Sequence, residues 1–179
     1  QRQLSHIENG DEALAELEQQ VAEANKEVLA KADVLTKMRQ KAATIIEKQM
    51  RERLVPLGMP RVRFEISIEQ DTPGRNGQDK VSFLVSANTS TPLQPVSQVA
   101  SGGEIARVML SLKAMISGAV KLPTIIFDEI DTGVSGKIAE QMARMMAEMG
   151  HSDRQVISIT HLPQIAAMGS THYKVYKEE

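Results

Sequence analysis

The feature that most constrains the fold is an early stretch, residues 11–54, that contains neither glycine nor proline. Both residues interrupt helices, so their absence favours one continuous helix, which would be about 65 Å long at 1.5 Å per residue. Its apolar residues recur at alternating intervals of three and four, with Lys31 occupying one slot out of character: Leu14, Leu17, Val21, Ala24, Val28, Leu35, Met38, Ala42 and Ile45. Such a heptad seam is typical of a coiled coil.

An amphipathic helix lying on its own domain is the alternative. We favour the coiled coil because the apolar seam is narrow and the helix is far longer than those of most globular domains. Gly58 and Pro60 mark the end of the helical stretch. We therefore interpret residues 1–58 as one coiled-coil arm, whose partner helix lies outside this chain, and residues 59–179 as a separate lobe.

The lobe begins with a predicted β-hairpin. Apolar and polar residues alternate over residues 62–68 and again over 81–85, which predicts two strands. Residues 71–80 between them are rich in turn formers and predict a long, mobile tip. Residues 88–98 predict an irregular connector.

Beyond the connector, helical and strand patterns alternate. We predict, in order, a helix 102–116, a strand 124–128, a helix 136–149, a strand 155–160, a short helix 163–168 and a last strand 172–176. Strands that alternate with helices indicate an α/β layer with a mostly parallel sheet and flanking helices.

Composition excludes several classes of protein. The chain has no cysteine, which excludes disulfides and thiolate metal sites and suits a reducing cytoplasm. A net charge of -2 provides no general attraction to nucleic acid, so any DNA contact needs a local patch. No apolar run approaches the roughly 20 residues that cross a bilayer, so we expect no membrane partner. The first residue is Gln rather than Met, which suggests a piece of a longer protein.

Two adjacent carboxylates, Asp128 and Glu129, follow the apolar strand 124–128. Neighbouring strand residues point to opposite faces, so the two acids can have different roles. Asp128 could hold Mg²⁺ through water, while Glu129 polarises an attacking water as general base. The alternative is that both acids are simply solvated or cap the next helix.

Ser101-Gly102-Gly103-Glu104 opens the helix that precedes this strand. Ser and Glu at this spacing could form a capping box, which leaves the two glycines unexplained. A bare helix N-terminus is also an anion site, and glycines let a ligand approach the backbone.

His161 follows the strand that should neighbour the Asp128-Glu129 strand. It could be a polar surface residue, or it could donate a hydrogen bond to a γ-phosphate. Residues 131–136, between Glu129 and the next helix, form either a plain strand-to-helix turn or a loop that contacts a second subunit.

Three phrases carry a family resemblance: residues 99–107, 126–136 and 159–167. Together they resemble the C-terminal head segment of the RecN family of bacterial DNA repair proteins, an SMC-like branch of the ABC ATPases. The arm and the hairpin fit the same layout, so the resemblance extends over the whole chain. Ile105-Ala106 stands where Leu-Ser is expected, a departure outside the chemistry.

The resemblance implies the fold, the ligands and the roles of individual residues. It implies the C-terminal half of a P-loop ATPase head with a β-hairpin and a descending coiled-coil helix. The implied roles are the signature motif for Ser101, Gly102, Gly103 and Glu104, Walker B and Mg²⁺ for Asp128, the catalytic base for Glu129, the D-loop for Asp131 and the switch histidine for His161. ATP would lie between two heads of a homodimer that acts on DNA in double-strand break repair and recombination, in the cytoplasm at the nucleoid.

One absence limits what the chain can do alone. It contains no Gly-x-x-x-x-Gly-Lys-Ser/Thr phosphate cradle. We therefore expect the N-terminal half of the same protein as a partner, and little ATP binding or hydrolysis without it. Two alternatives remain: an ABC transporter ATPase subunit, which the long helix disfavours, and a coiled-coil assembly module whose head does not hydrolyse ATP.

Overall fold

A computed structural model describes residues 2–99, 101–120, 122–150 and 154–176. Its elements are α1 (Arg2–Leu54), β1 (Arg63–Gly74), β2 (Gly77–Ser86), β3 (Gln94–Pro95), a 3-10 turn (Val96–Gln98), α2 (Gly102–Ala119), β4 (Thr124–Asp128), α3 (Gly136–Gly150), β5 (Gln155–Ile159) and α4 (Pro163–Ala166). Among the described residues the strands form two sheets. One has the order β1-β2-β3, in which β2 and β3 pair antiparallel, and the other consists of β4 and β5, which pair in parallel. None of the helices described is both long and apolar enough to cross a bilayer.

Two sequence predictions are wrong. Residues 172–176 have no regular secondary structure, although we predict a last strand there. A strand needs a neighbour for its backbone groups, and Val175 instead remains 96% exposed. The predicted long loop at 71–80 is also wrong, because β1 continues to Gly74 and β2 begins at Gly77, while the mobility of this tip stays a prediction.

The chain divides into two compact units, one with residues 1–44 and 67–82, the other with 45–66 and 83–179. The first unit contains the contacts that hold the hairpin strands together near their tip. Asp79 accepts hydrogen bonds from Thr36 Oγ1 at 2.6 Å and from Arg39 Nη1 at 2.8 Å. Arg39 also donates to the carbonyl of Asn76 at 2.7 Å, and Gln78 donates to Asp33 at 2.7 Å.

These contacts form a hairpin clasp, made of Asp33, Thr36, Arg39, Gln78 and Asp79. The Asp79 side chain is only 3% exposed, so water does not replace its partners. Gly77 is favoured here, because its φ is +95°, a backbone conformation that residues with a side chain rarely adopt. The tip of the hairpin thus binds residues of α1 that lie far away in sequence, which no local turn pattern reveals.

The clasp makes a pH-dependent contribution to stability. The Thr36 hydroxyl, and after it the Arg39 guanidinium, hold the pKa of Asp79 below its ordinary value of 3.8. A carboxyl with a lowered native pKa stabilises the fold above its ordinary pKa, and this stabilisation is lost as the pH falls through the native value. We expect Asp79→Asn to lower the melting temperature at pH 7, with a difference from wild type that shrinks below a pH of about 4.

Circular dichroism melting of both proteins between pH 7 and acid checks this expectation. Asp71→Asn is the matched control, since Asp71 is an exposed carboxylate of the same hairpin, and its hydrogen bond in the described structure comes from the adjacent Thr72 amide. Equal melting temperatures for the two variants at pH 7 would show that the clasp does not stabilise the chain.

The second unit contains two hydrophobic clusters, and α2 contributes to both. Val108 joins one cluster with the last turns of α1 and the base of the hairpin. Leu110 joins the other, which β4, α3 and α4 complete. Lys113 Nζ lies 5.2 Å from the ring centroid of Phe127, so α2 also contacts β4 through a cation–π pair. The helix is therefore fixed on both sides.

The β4-β5 sheet is covered on one face only within the described structure. Phe127 is 2% exposed on the inner face, whereas Ile126 is 55% exposed on the outer face. Ile157 and Ile159 of β5 share this exposure. Parallel sheets are normally covered on both faces, so the outer face is an apolar surface of the kind that another element covers.

Candidate nucleotide site at the end of the parallel sheet

The parallel register brings two predicted catalytic residues to one edge of the sheet. Asp128 pairs with Ile159, and the Glu129 amide donates to the Ile159 carbonyl at 3.1 Å. His161 follows two residues after Ile159, beyond the same strand end. Asp128, Glu129 and His161 therefore share the carboxyl edge, where ligands of α/β proteins usually bind.

Glu129 has a backbone conformation that non-glycine residues rarely adopt. Its φ is +46°, in the left-handed region. Thr132 holds this conformation, since its hydroxyl donates to the Glu129 carbonyl at 3.0 Å. Non-glycine residues in this region cost about 1–2 kcal/mol, and such residues cluster at functional sites. The strained backbone therefore indicates a functional position at Glu129 independently of its sequence motif.

The residues at this edge fit a hydrated Mg²⁺ bound to a nucleotide. The side chains of Asp128 and Glu129 are exposed and accessible to a ligand. No cluster of three His, Asp or Glu side chains suited to a metal occurs among the described residues. Mg²⁺ usually takes one or two protein carboxylates and completes its shell with phosphates and water. Asp128 can therefore hold the ion only together with other ligands.

Asp131 lies on the inside of the site. It is 1% exposed, and its Oδ2 accepts a short hydrogen bond from the Thr160 hydroxyl. His161 Nδ1 lies 3.8 Å from the same oxygen. The other carboxylate oxygen, Oδ1, is buried and has no hydrogen-bond partner. The Asp131 side chain thus lies beside His161 and away from the surface.

The Ser101–Gly103 segment packs against the same loop. An added Cβ at Gly103 would lie 3.2 Å from the Thr132 carbonyl oxygen, so glycine permits this approach. Gly102 has no atom within 4 Å of its added Cβ, so no neighbour in the described structure requires glycine there.

The capping box that the sequence allows as an alternative at this helix start does not form. Ser101 is the N-cap residue of α2, with φ -83° and ψ 111°, but its side chain makes no capping hydrogen bond. Its hydroxyl is exposed, and Glu104 is half-buried in the first turn. The Ser101 hydroxyl and the first amides of α2 are therefore left without the cap that the sequence pattern offers.

Sequence reasoning missed the part played by two threonines. Thr160 binds Asp131, and Thr132 holds the strained Glu129. Each threonine adjoins a residue that the motifs identify, which is the only signal that could have drawn attention to them. The burial of Asp131 could not be predicted from the sequence, because aspartate in a glycine-containing loop is usually exposed.

Comparison with curated proteins gives a consistent result. No protein-family model matches the chain. It is 38% identical over 178 residues to the DNA repair protein RecN of Synechocystis sp., which covers 99% of this chain and 30% of that protein. It is 36% identical over 194 residues to the DNA repair protein RecN of Bacillus subtilis, with 99% and 34% covered. The chain thus spans about a third of the length of these relatives.

Solved structures share the fold. The Smc head domain with a coiled coil and joint from Pyrococcus yayanosii has a TM-score of 0.57 at 22% identity, over 74% of this chain and 24% of that one. A chain from a study of ATP-driven dimerization and DNA-stimulated activation of SMC ATPases has a TM-score of 0.54 at 18% identity, over 80% and 84%. The α/β head fold that the sequence predicts is confirmed. The chain is therefore RecN-like along nearly its whole length, with the fold of an SMC-type ATPase head.

Proposed function

We propose that this chain forms the C-terminal portion of an ATP-hydrolysing head in a RecN-type protein that acts in DNA double-strand break repair and recombination. The observation that carries the proposal is the β4-β5 register, which places Asp128, Glu129 and His161 at one edge of a parallel sheet. The N-terminus of α2 adjoins the loop that leaves this edge. These are the positions from which side chains can act on a bound nucleotide triphosphate.

Each residue at the edge has a separate role in the proposal. When bound, ATP would supply the reactive γ-phosphate, and Mg²⁺ would neutralise part of the phosphate charge. Asp128 holds the ion, largely through water, because Mg²⁺ gives up its hydration shell reluctantly. Glu129 accepts a hydrogen bond from the attacking water and orients it as general base. His161 donates a hydrogen bond to the γ-phosphate.

The rest of the head comes from another segment of the same protein. The 179 residues contain no Gly-x-x-x-x-Gly-Lys-Ser/Thr cradle for the phosphates. The exposed face with Ile126 is an apolar surface that a further element would cover. An N-terminal segment that brings both the cradle and this cover would complete the nucleotide site, so the chain alone should not hydrolyse ATP.

A second head supplies the remaining part of the reaction. Gly102 has open space around it, and the Ser101 hydroxyl makes no cap. A helix N-terminus with free amides attracts a phosphate. We assign Ser101, Gly102 and Gly103 to the γ-phosphate of ATP held by a second copy, so that nucleotide joins two heads into a homodimer. Opening and closing of this dimer would control how DNA is held at the nucleoid.

Gly102→Ala tests the proposal directly. The added methyl group meets nothing in the described structure, so the fold should be unchanged. It would obstruct a phosphate at the helix N-terminus. We expect ATP turnover by the intact protein to fall about tenfold or more, since hydrogen bonds to charged groups contribute about 1.5–3 kcal/mol. Steady-state phosphate release, with and without double-stranded DNA, measures the effect.

Gly118→Ala is the matched control. Gly118 lies near the other end of α2, and its added Cβ also meets no atom within 4 Å. This variant should retain full turnover. Equal activity of the two variants would contradict a phosphate contact at Gly102. An intact protein that binds ATP but never hydrolyses it would instead favour the non-hydrolysing assembly module.

A further inference from the structure

We propose that Asp131 is a positioning residue, which selects the Nδ1–H tautomer of His161 and so turns Nε2 toward the nucleotide. The effect of this tautomer on ATP turnover rests on the function proposed above, whereas the preference of His161 for this tautomer does not. The loop containing Asp131 is expected from the family resemblance to contact nucleotide or a second subunit. At 1% exposure, the Asp131 side chain instead faces His161.

The geometry ties the carboxylate to both neighbours of His161. Thr160 donates its hydroxyl hydrogen to Asp131 Oδ2. The same Thr160 oxygen accepts the Leu162 amide hydrogen at 3.0 Å. The residues before and after His161 are therefore held, directly or through one hydroxyl, by one buried carboxylate. The Asp131 backbone is fixed as well, because its carbonyl accepts the Val134 amide hydrogen at 3.2 Å.

The chemistry of the pair sets the tautomer. A neutral imidazole carries one N–H group, and an ionised carboxylate can only accept a hydrogen bond. Nδ1 is the ring nitrogen recorded 3.8 Å from Asp131 Oδ2. This distance is longer than a hydrogen bond, but a negative carboxylate still favours an N–H group over a lone pair on the nearer ring nitrogen, and catalytic hydrogen bonds are often long before substrate binds. The proton is therefore favoured at Nδ1, and Nε2 is the nitrogen left for the ligand.

A purely structural role explains the carboxylate poorly. Its Oδ1 is buried without a hydrogen-bond partner, which is unfavourable for any polar atom. An apolar residue would avoid this cost beside the hydrophobic cluster that Val134 of the same loop joins. Orientation of a neighbouring histidine by a carboxylate is a general device, because the second group fixes both the ring plane and the tautomer.

Long-range ¹H–¹⁵N spectra of the ¹⁵N-labelled chain test the proposal at a pH of about 8, where unperturbed imidazoles are neutral. Loss of one signal set in His161→Gln assigns the residue. His172 provides an internal reference of the opposite kind, since its Nε2 lies 2.7 Å from the Ala166 carbonyl and must be the protonated nitrogen to bond there. We expect the Nδ1–H form for His161 and the Nε2–H form for His172. A predominant Nε2–H form for His161 would overturn the proposal.

Substitutions show whether Asp131 causes the preference. Asp131→Asn should shift His161 toward a mixture of tautomers and leave His172 unchanged; an unchanged His161 overturns the proposal. If Asp131→Asn does not fold, the Thr160 variants decide. Thr160→Val removes the hydroxyl that aligns the carboxylate and should weaken the preference, whereas Thr160→Ser should keep it. The same tautomer ratio in both Thr160 variants would count against the proposal.

Turnover by the intact protein separates this inference from the proposed function. Asp131→Asn should lower the rate of ATP hydrolysis when His161 is present and should have no further effect in a His161→Gln background. A full additional loss in that background would overturn the positioning role. An intact protein without any ATP hydrolysis would refute the proposed function, while the measured tautomer would still stand.

Discussion

Replacing Glu129 by Gln is expected to reduce ATP turnover by the intact head about 10²–10⁴-fold, which is the usual contribution of a general base. Gln keeps the size and hydrogen-bonding reach of Glu but cannot accept the proton. The side chain is exposed, so its replacement removes no packing. Phosphate release under saturating ATP measures the effect, and nucleotide binding should be retained.

Glu129→Gly separates the chemistry from the strain at the same position. Glycine occupies the left-handed region freely, so the penalty at φ +46° disappears. We expect a fold that is more stable by about 1 kcal/mol, less the entropy of a freer unfolded chain, together with the same loss of turnover. Melting curves of wild type, Glu129→Gln and Glu129→Gly give the comparison. Unchanged turnover in Glu129→Gln would show that another group acts as the base.

Phe127→Ala is expected to have the largest effect on stability, a loss of about 3–5 kcal/mol in the free energy of unfolding. Phe127 is 2% exposed on the inner face of β4, and its ring carries the contact with Lys113. Removal of the ring leaves a cavity between the sheet and its covering helices. Urea unfolding followed by circular dichroism is the suitable measurement, because the chain has no tryptophan.

Ile126→Ala is the control for this prediction. It alters the adjacent residue on the same strand, whose side chain points to the outer face and is 55% exposed. In this chain alone it should change stability by a small fraction of the Phe127→Ala effect. Equal losses for the two variants would mean that both faces of the sheet are already covered, for instance by self-association.

The sequence predicts the sheet of the site well because its signals are local. The apolar run 124–128 and the β-branched residues of 155–160 each indicate a strand without reference to distant residues. The parallel order then brings the Asp128 and His161 ends together as a matter of topology. Elements with strong local patterning and short connections are the ones that sequence reasoning identifies most easily.

The failures all depend on distant partners. Residues 71–80 look like a loop because the helix that clasps them is encoded some 40 residues earlier, as the Thr36–Asp79 bond shows with its separation of 43 residues. Residues 172–176 look like a strand but find no neighbour in the described structure. The burial of Asp131 and the left-handed backbone of Glu129 arise from packing around the strand ends, so no periodic pattern in the sequence predicts them.

The hairpin clasp has a consequence for any second helix that approaches α1. Ala32 and Ala43 are buried on the side of α1 that the hairpin occupies, whereas Val34 and Met38 are exposed on the other side. At about 100° per residue these two pairs lie on nearly opposite azimuths of the helix. A second helix would clash with the hairpin on the Ala32–Ala43 side of α1 but can pack on the Val34–Met38 side. The hairpin would therefore restrict the direction from which a second helix pairs with α1.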